Sequence, residues 1–124
     1  MTFKEYEAGP IAINALASGK VDIATAAEFV MVHKNFDHDD LRVMAMIAKA
    51  NKICIVGRKD KGIEEPSQLK GKRIGIKRGS NAEFFMARFL SYNGITLEDI
   101  VAIDVLPSEM KGSLENGDID AVVI

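Results

Sequence analysis

The turn Lys77-Arg78-Gly79-Ser80-Asn81 carries the residue types that an anion site needs. It lies between an expected strand and an expected helix start, where free N–H groups and the positive end of the helix dipole favour negative charge. Gly79 lets a ligand approach the backbone, and Arg78 adds a cation. Ser80 has a hydroxyl proton to donate even while its oxygen caps the helix. The competing reading is that Ser80 only caps, a role worth about 1 kcal/mol. Glu83, one turn into the helix, would oppose a bound anion. A second candidate is Thr25-Ala26-Ala27-Glu28, at the carboxyl end of an expected strand, where ligands gather in open α/β sheets. Its small residues permit close approach, and Thr25 offers a hydroxyl. A tight strand-to-helix turn with Glu28 on the helix dipole accounts for these residues equally well. The third candidate, Ser108 after Leu106-Pro107, ranks lowest, because serine near a helix start is more often a cap.

Other reactive-looking residues carry less. The basic stretch Lys70, Lys72, Arg73, Lys77 and Arg78 lacks both the P-loop spacing and the G-x-G-x-x-G spacing. Strand alternation places Ile74 and Ile76 on a buried face and leaves Arg73 and Lys77 more exposed. His33, His38, Asp37, Asp39 and Asp40 have a superficial metal look. They include no histidine pair at helical i, i+4 spacing and no cysteine partner, so a polar loop is the better reading. Cys54 sits in an apolar run and reads as a small buried hydrophobe. No nucleophile–base pair stands out, so the expectation is a binding protein with no catalytic residue, cofactor or metal.

The elements that position these residues are marked by proline and glycine. Proline suits a first helical turn and glycine the left-handed position past a helix end. Residues 10–19, 66–71 and 107–117 each run in that order, and the middle one is short enough for a single turn. In the third, Met110 and Leu114 share a face. The S-x-x-E capping box Ser80–Glu83 opens another helix, with Phe85, Met86, Phe89 and Leu90 at helical spacing and Asn93-Gly94 as its stop. A weaker helix covers 27–34. Strands are expected at 21–25, 41–48, 52–56, 73–77, 100–106 and 120–124. Strands alternating with helices imply a mainly parallel sheet. The polar segment 57–66, without periodicity, is the best boundary.

Composition agrees with this. The 124 residues are 48% hydrophobic and 27% charged, as in an ordinary globular domain. A net charge of −2 and no tryptophan argue against a nucleic-acid partner. No apolar run approaches the roughly 20 residues that cross a bilayer. The first ten residues carry two glutamates and no apolar stretch, which reads as no signal peptide within this chain. One cysteine excludes an internal disulfide.

A short repeat, L-x-x-G-x-[V/I]-D, begins at Leu16 and again at Leu114. It describes a helix ending at glycine, a tight turn and a strand opening with aspartate, once on each side of the boundary. Together with NALASGKVDIA (14–24), IVGRKD (55–60) followed by Gly62-Ile63, LKGKRIGI (69–76), Gly79-Ser80 and LENGDIDAV (114–122), it resembles solute-binding proteins of ABC importers. The branch it is similar to is associated with sulfonates, nitrate and thiamine-pyrimidine precursors. The resemblance covers nearly the whole chain. It implies a periplasmic-binding-protein-like α/β clamp of two lobes, here incomplete at both ends: 1–57 from the first lobe, 58–66 a linker or hinge, 67–124 from the second. It also implies that a small, anionic or heteroaromatic ligand sits at the Gly-Ser turn, giving Gly79, Ser80, Asn81, Thr25, Ala26, Arg78 and Ser108 as candidate contacts. An importer permease is the implied partner and the periplasm or cell surface the implied location of the full-length protein. A sensor domain of a signalling protein uses the same clamp. Thiamine-pyrimidine synthases share the fold, but the cysteine-rich cluster associated with them is absent from this sequence. Strands missing from both ends would leave open edges, so a homodimer or higher assembly is expected.

Overall fold

The computed structural model describes residues 2–37, 40–49 and 53–124. Four strands form one sheet in the order β1-β4-β2-β3, with β1 Ile55–Gly57, β2 Arg73–Ile76, β3 Val101–Asp104 and β4 Ala121–Val123. β2 runs parallel to both β3 and β4, while β1 closes one edge antiparallel, Val56 opposite Val122. The mainly parallel α/β class is as expected. The β1 strand, although it precedes the 58–66 segment, belongs to the same sheet as β4.

Helices cover both faces of that sheet. α3, Asn81–Tyr92, follows β2 and packs Met86 and Leu90 on Ile74, Ile76, Ala121 and Val123. α4, Pro107–Asn116, follows β3 and packs Met110 with Val105, Ile119 and Val122. Alternation along β4 therefore sends Val122 to one face and its two neighbours to the other. Ile74 and Ile76 are buried while Arg73 and Lys77 keep partial exposure, in line with the alternation read from sequence. In α3 the buried pair is Met86 and Leu90 alone; Phe85 and Phe89 remain exposed. The i, i+4 stripe is narrower than the apolar count implied.

Two further helices, α1 Gly9–Ala17 and α2 Glu28–Asn35, pack on each other, burying Ile13 and Val30, with Gly9 lying close against Ala26 and Val30. The glycine stops expected after α1, α3 and α4 hold: Gly19, Gly94 and Gly117 all have φ between 65° and 82°. The 66–71 turn is a 3-10 turn, Pro66–Leu69.

Residues 21–25 and 41–48 form no strand among the described residues. A strand exists only where a neighbour completes its hydrogen bonds, and neither segment joins the sheet formed by the described residues. Of the expected strand 52–56, Lys52 lies outside the described residues. The two copies of the repeat diverge at this point: Leu114–Asp120 leads into β4, whereas Ile23 stays exposed. Cys54 is exposed, against the expectation of burial. Its backbone extends the edge ladder, its N–H donating to the Ile124 carbonyl at 2.7 Å, but among the described residues no further strand covers that edge.

Candidate functional site

The Lys77–Asn81 turn leaves the carboxyl end of β2, next to the end of β3. Asp104, the last residue of β3, fastens it there: both carboxylate oxygens accept from Lys77 Nζ at 2.8 Å, and one accepts the Arg78 N–H at 3.0 Å. Lys77, as the nearest donor, holds the Asp104 carboxyl below its usual pKa, so the fastener stays charged near neutrality. Gly79 follows with φ 71°, a left-handed conformation that glycine adopts without cost.

The capping pattern differs from the expected box. Ser80 makes no side-chain cap; its hydroxyl donates to the Lys77 carbonyl at 2.6 Å, so its proton is already engaged. Glu83 accepts the Gly79 N–H at 2.7 Å rather than that of Ser80. The N–H groups of Ser80 and Asn81 find no acceptor among the described residues, as expected for a helix N-terminus. The donors offered by the turn are thus backbone groups and not the serine hydroxyl.

Asn81 reaches across to the first helices. Its Oδ1 accepts the Phe29 N–H at 3.0 Å, capping α2, whose own N-cap Ala27 has no side-chain acceptor. Phe29 and Phe84 stack alongside, centroids 4.9 Å apart. A Cβ built on Gly79 would lie 3.9 Å from Pro10, so the start of α1 also faces the turn. Ser108, in the first turn of α4, donates to Glu7 at 2.8 Å, two residues before α1.

Contacts thus link Gly79, Ser80, Asn81 and Arg78 to the segment holding Ala26, through Phe29 and through Gly9 and Pro10. Thr25 is exposed beside Ala26. Ser108 joins the same end of the sheet by way of Glu7.

Beside the turn lies a cavity of ≈ 390 Å³, lined by Asn14, His33, Lys34, Asp37, Arg78 and Glu83 over apolar Pro10, Ile13 and Val30. Of these lining side chains the sequence pointed to Arg78 as a ligand contact and Glu83 as an opposing charge, and it set His33 and Asp37 aside as a polar loop. Apart from Arg78 and Glu83 they do share a signal: 10, 13 and 14 on α1, and 30, 33, 34 and 37 on and just past α2, fall at i, i+3, i+4 and i+7. His33 was read there as part of a polar loop; it sits instead on α2, its ring near Phe29. His38 and Asp39 lie outside the described residues.

The family described as NMT1/THI5 like matches residues 1–124. The chain is 28% identical over 120 residues to the "Putative aliphatic sulfonates-binding protein" of Bacillus subtilis, covering 94% of this chain and 36% of that protein. It is 24% identical to the taurine-binding periplasmic protein of Escherichia coli, covering 98% of this chain and 38% of that one. Among solved structures, the alkanesulfonate-binding protein SsuA from Xanthomonas axonopodis pv. citri bound to MOPS superposes with a TM-score of 0.89 at 27% identity, over 99% of this chain and 43% of that one. The chain therefore spans little more than a third of the length of the curated relatives it matches.

Proposed function

The chain belongs to the NMT1/THI5-like family, and on that premise we propose that it forms part of a solute-binding protein serving an ABC importer. The solute is a small organic anion of the alkanesulfonate class, as the names of the relatives indicate. The observation that carries the reading is the convergence at the carboxyl ends of β2 and β3. A glycine turn with open N–H groups, Arg78, and the starts of α1 and α2 all meet beside one cavity. Anions are held well by such groups because the donors are fixed before the ligand arrives.

In this reading Gly79, Ser80, Asn81 and Arg78 contact the ligand, with Thr25 and Ala26 facing them and Ser108 at the margin. The chain is read as contributing to two lobes joined near 58–66. β1 (Ile55–Gly57) is already paired into the sheet of 67–124, so the first lobe draws on the residues before β1. The ligand favours the state in which both lobes touch it. That connection is tethered rather than loose: the Arg58 guanidinium donates to the Leu114 carbonyl at 2.8 Å and pairs with Asp60. The full-length protein would work in the periplasm and hand its solute to a permease, since a relative is named as periplasmic. Binding without turnover is the role, because these relatives are named as binding proteins.

Titration calorimetry of this chain with ethanesulfonate tests the reading. Saturable binding is expected, weakened about tenfold by Arg78→Ala, roughly the worth of one charge-assisted hydrogen bond. Arg78 is exposed, so stability should change by no more than about 0.5 kcal/mol. Unchanged affinity in the variant would remove Arg78 from the site, and no binding at all would overturn the reading for this chain.

A further inference from the structure

Which donors the turn leaves open is decided by its neighbour β3. Asp104 ends that strand, opposite Ile76 in the parallel register. One of its carboxylate oxygens accepts both the Lys77 ammonium at 2.8 Å and the Arg78 N–H at 3.0 Å. The other accepts the same ammonium, also at 2.8 Å. The Arg78 guanidinium reaches β3 as well, at the Ala102 carbonyl, 3.4 Å away. The Lys77 carbonyl then accepts the Ser80 hydroxyl at 2.6 Å and closes the turn. With the Arg78 N–H given to Asp104 and the Gly79 N–H to Glu83, the donors without an acceptor among the described residues are the consecutive N–H groups of Ser80 and Asn81.

On charge alone, Asp104 should hinder an anion bound at this turn. That repulsion is weak here. Lys77 lies against the carboxylate at hydrogen-bond distance, so the pair presents little net charge. The Asp104 side chain is also 44% exposed, where water and salt screen what remains. Geometry acts in the opposite sense. Two adjacent N–H groups hold an anion together only while the turn keeps them aimed together, and a turn that the ligand must order gives up affinity to conformational entropy. Gly79, at the middle of the turn, is its most permissive residue, so the turn needs an anchor on each side of it. α3 fixes the residues after Gly79. Asp104 fixes those before it.

We propose that Asp104 is a positioning residue for the anion site, a carboxylate that tightens anion binding because it holds the turn in its donor arrangement. The inference rests on the turn being part of the solute site proposed above. Asp104 acts through Lys77 and Arg78 and needs no contact with the ligand.

The test compares two neutral replacements, Asp104→Asn and Asp104→Val, by titration calorimetry with ethanesulfonate. Both remove the charge that pairs Lys77, so an effect of charge is common to them. Asp104→Asn keeps an acceptor for the Arg78 N–H, whereas Asp104→Val is of similar size and suits a strand but accepts nothing. Asp104→Val should bind ethanesulfonate at least about fivefold more weakly than Asp104→Asn, roughly the worth of one hydrogen bond. Urea unfolding run in parallel identifies conditions in which both variants are fully folded, where a merely structural role would leave their affinities alike. If Asp104→Val does not fold, Asp104→Ser replaces it, since a serine hydroxyl falls one bond short of the Arg78 N–H. Equal affinity in the two variants, or the reverse order, overturns the inference and leaves the solute-binding reading intact. If the unaltered chain does not bind ethanesulfonate, the solute-binding reading falls, and this inference with it.

Discussion

Asp120 is 7% exposed, the one buried charged residue among those described. It accepts from the Arg73 N–H at 2.9 Å and from the Arg73 guanidinium at 2.8 and 3.1 Å. Those bonds depress its pKa to about 2, below the ordinary 3.8. A carboxyl with a depressed folded pKa stabilises the fold fully above its unfolded value, and the contribution is lost as pH falls toward the folded value. Because Arg73 is partly exposed, the shift corresponds to about 1–2 kcal/mol after allowance for solvent screening. Urea unfolding should therefore show stability falling by that amount between about pH 5 and pH 2, and Asp120→Asn should flatten the slope. A slope unchanged in the variant would assign the pH dependence to other groups. The aspartate of the L-x-x-G-x-[V/I]-D repeat was visible in sequence, but its role was not. Asp22, at the equivalent place in the first copy, is exposed, because only Asp120 meets a β2 arginine. The same holds for Ser80, whose type and position were legible while its hydroxyl's acceptor, the Lys77 carbonyl, depends on how tightly the turn closes.

At the scale of elements, local chemistry carried the helices and four of the six expected strands, and missed at 21–25 and 41–48. Every expected helix is present because caps, prolines and glycine stops act within a few residues of the element they bound. Residues 21–25 and 41–48 have strand-like composition, but a strand is made by its neighbour, which composition does not specify. The cavity was hidden for a related reason: its lining comes from two helices and a turn that are distant in sequence. The Asn81–Phe29 bond, spanning 52 positions, is the joint that brings them together. Asn81→Ala leaves the first N–H groups of α2 without their side-chain acceptor, a loss of about 1 kcal/mol typical of N-cap removal. Hydrogen exchange should show faster opening at the Phe29 amide in that variant, with β2 and β4 protection unchanged. If β2 and β4 exchange accelerated equally, Asn81 would be holding the whole molecule together rather than coupling α2 to the turn.

For the molecule as a whole, the striking burden is residues 41–49. Val43, Met44, Met46 and Ile47 are between 72% and 81% exposed. Paired as a strand, the segment would turn Val43 and Ile47 to one face and Met44 and Met46 to the other, so both faces would be apolar. Such a segment has the pattern of a strand buried on both sides, and it has no polar face to turn to water. The segment belongs to no strand of the sheet, and among the described residues β1 and β3 lie at the sheet's two edges. Unpaired strand groups beside exposed apolar side chains associate with another chain, since pairing satisfies the hydrogen bonds and covers the apolar surface together. We therefore expect this chain to be a dimer or larger assembly at micromolar concentration, joined through 41–49. Replacing Met44 and Met46 with glutamate should shift light scattering toward the monomer, because like charges brought together in the joint repel. Unfolding of the β1–β4 sheet core should be unaffected, as neither methionine contributes to it. A compact monomer of the unaltered chain across that concentration range would show that 41–49 stays in water despite its two apolar faces. An assembly that persists in the double variant would move the joint to the β1 or β3 edge.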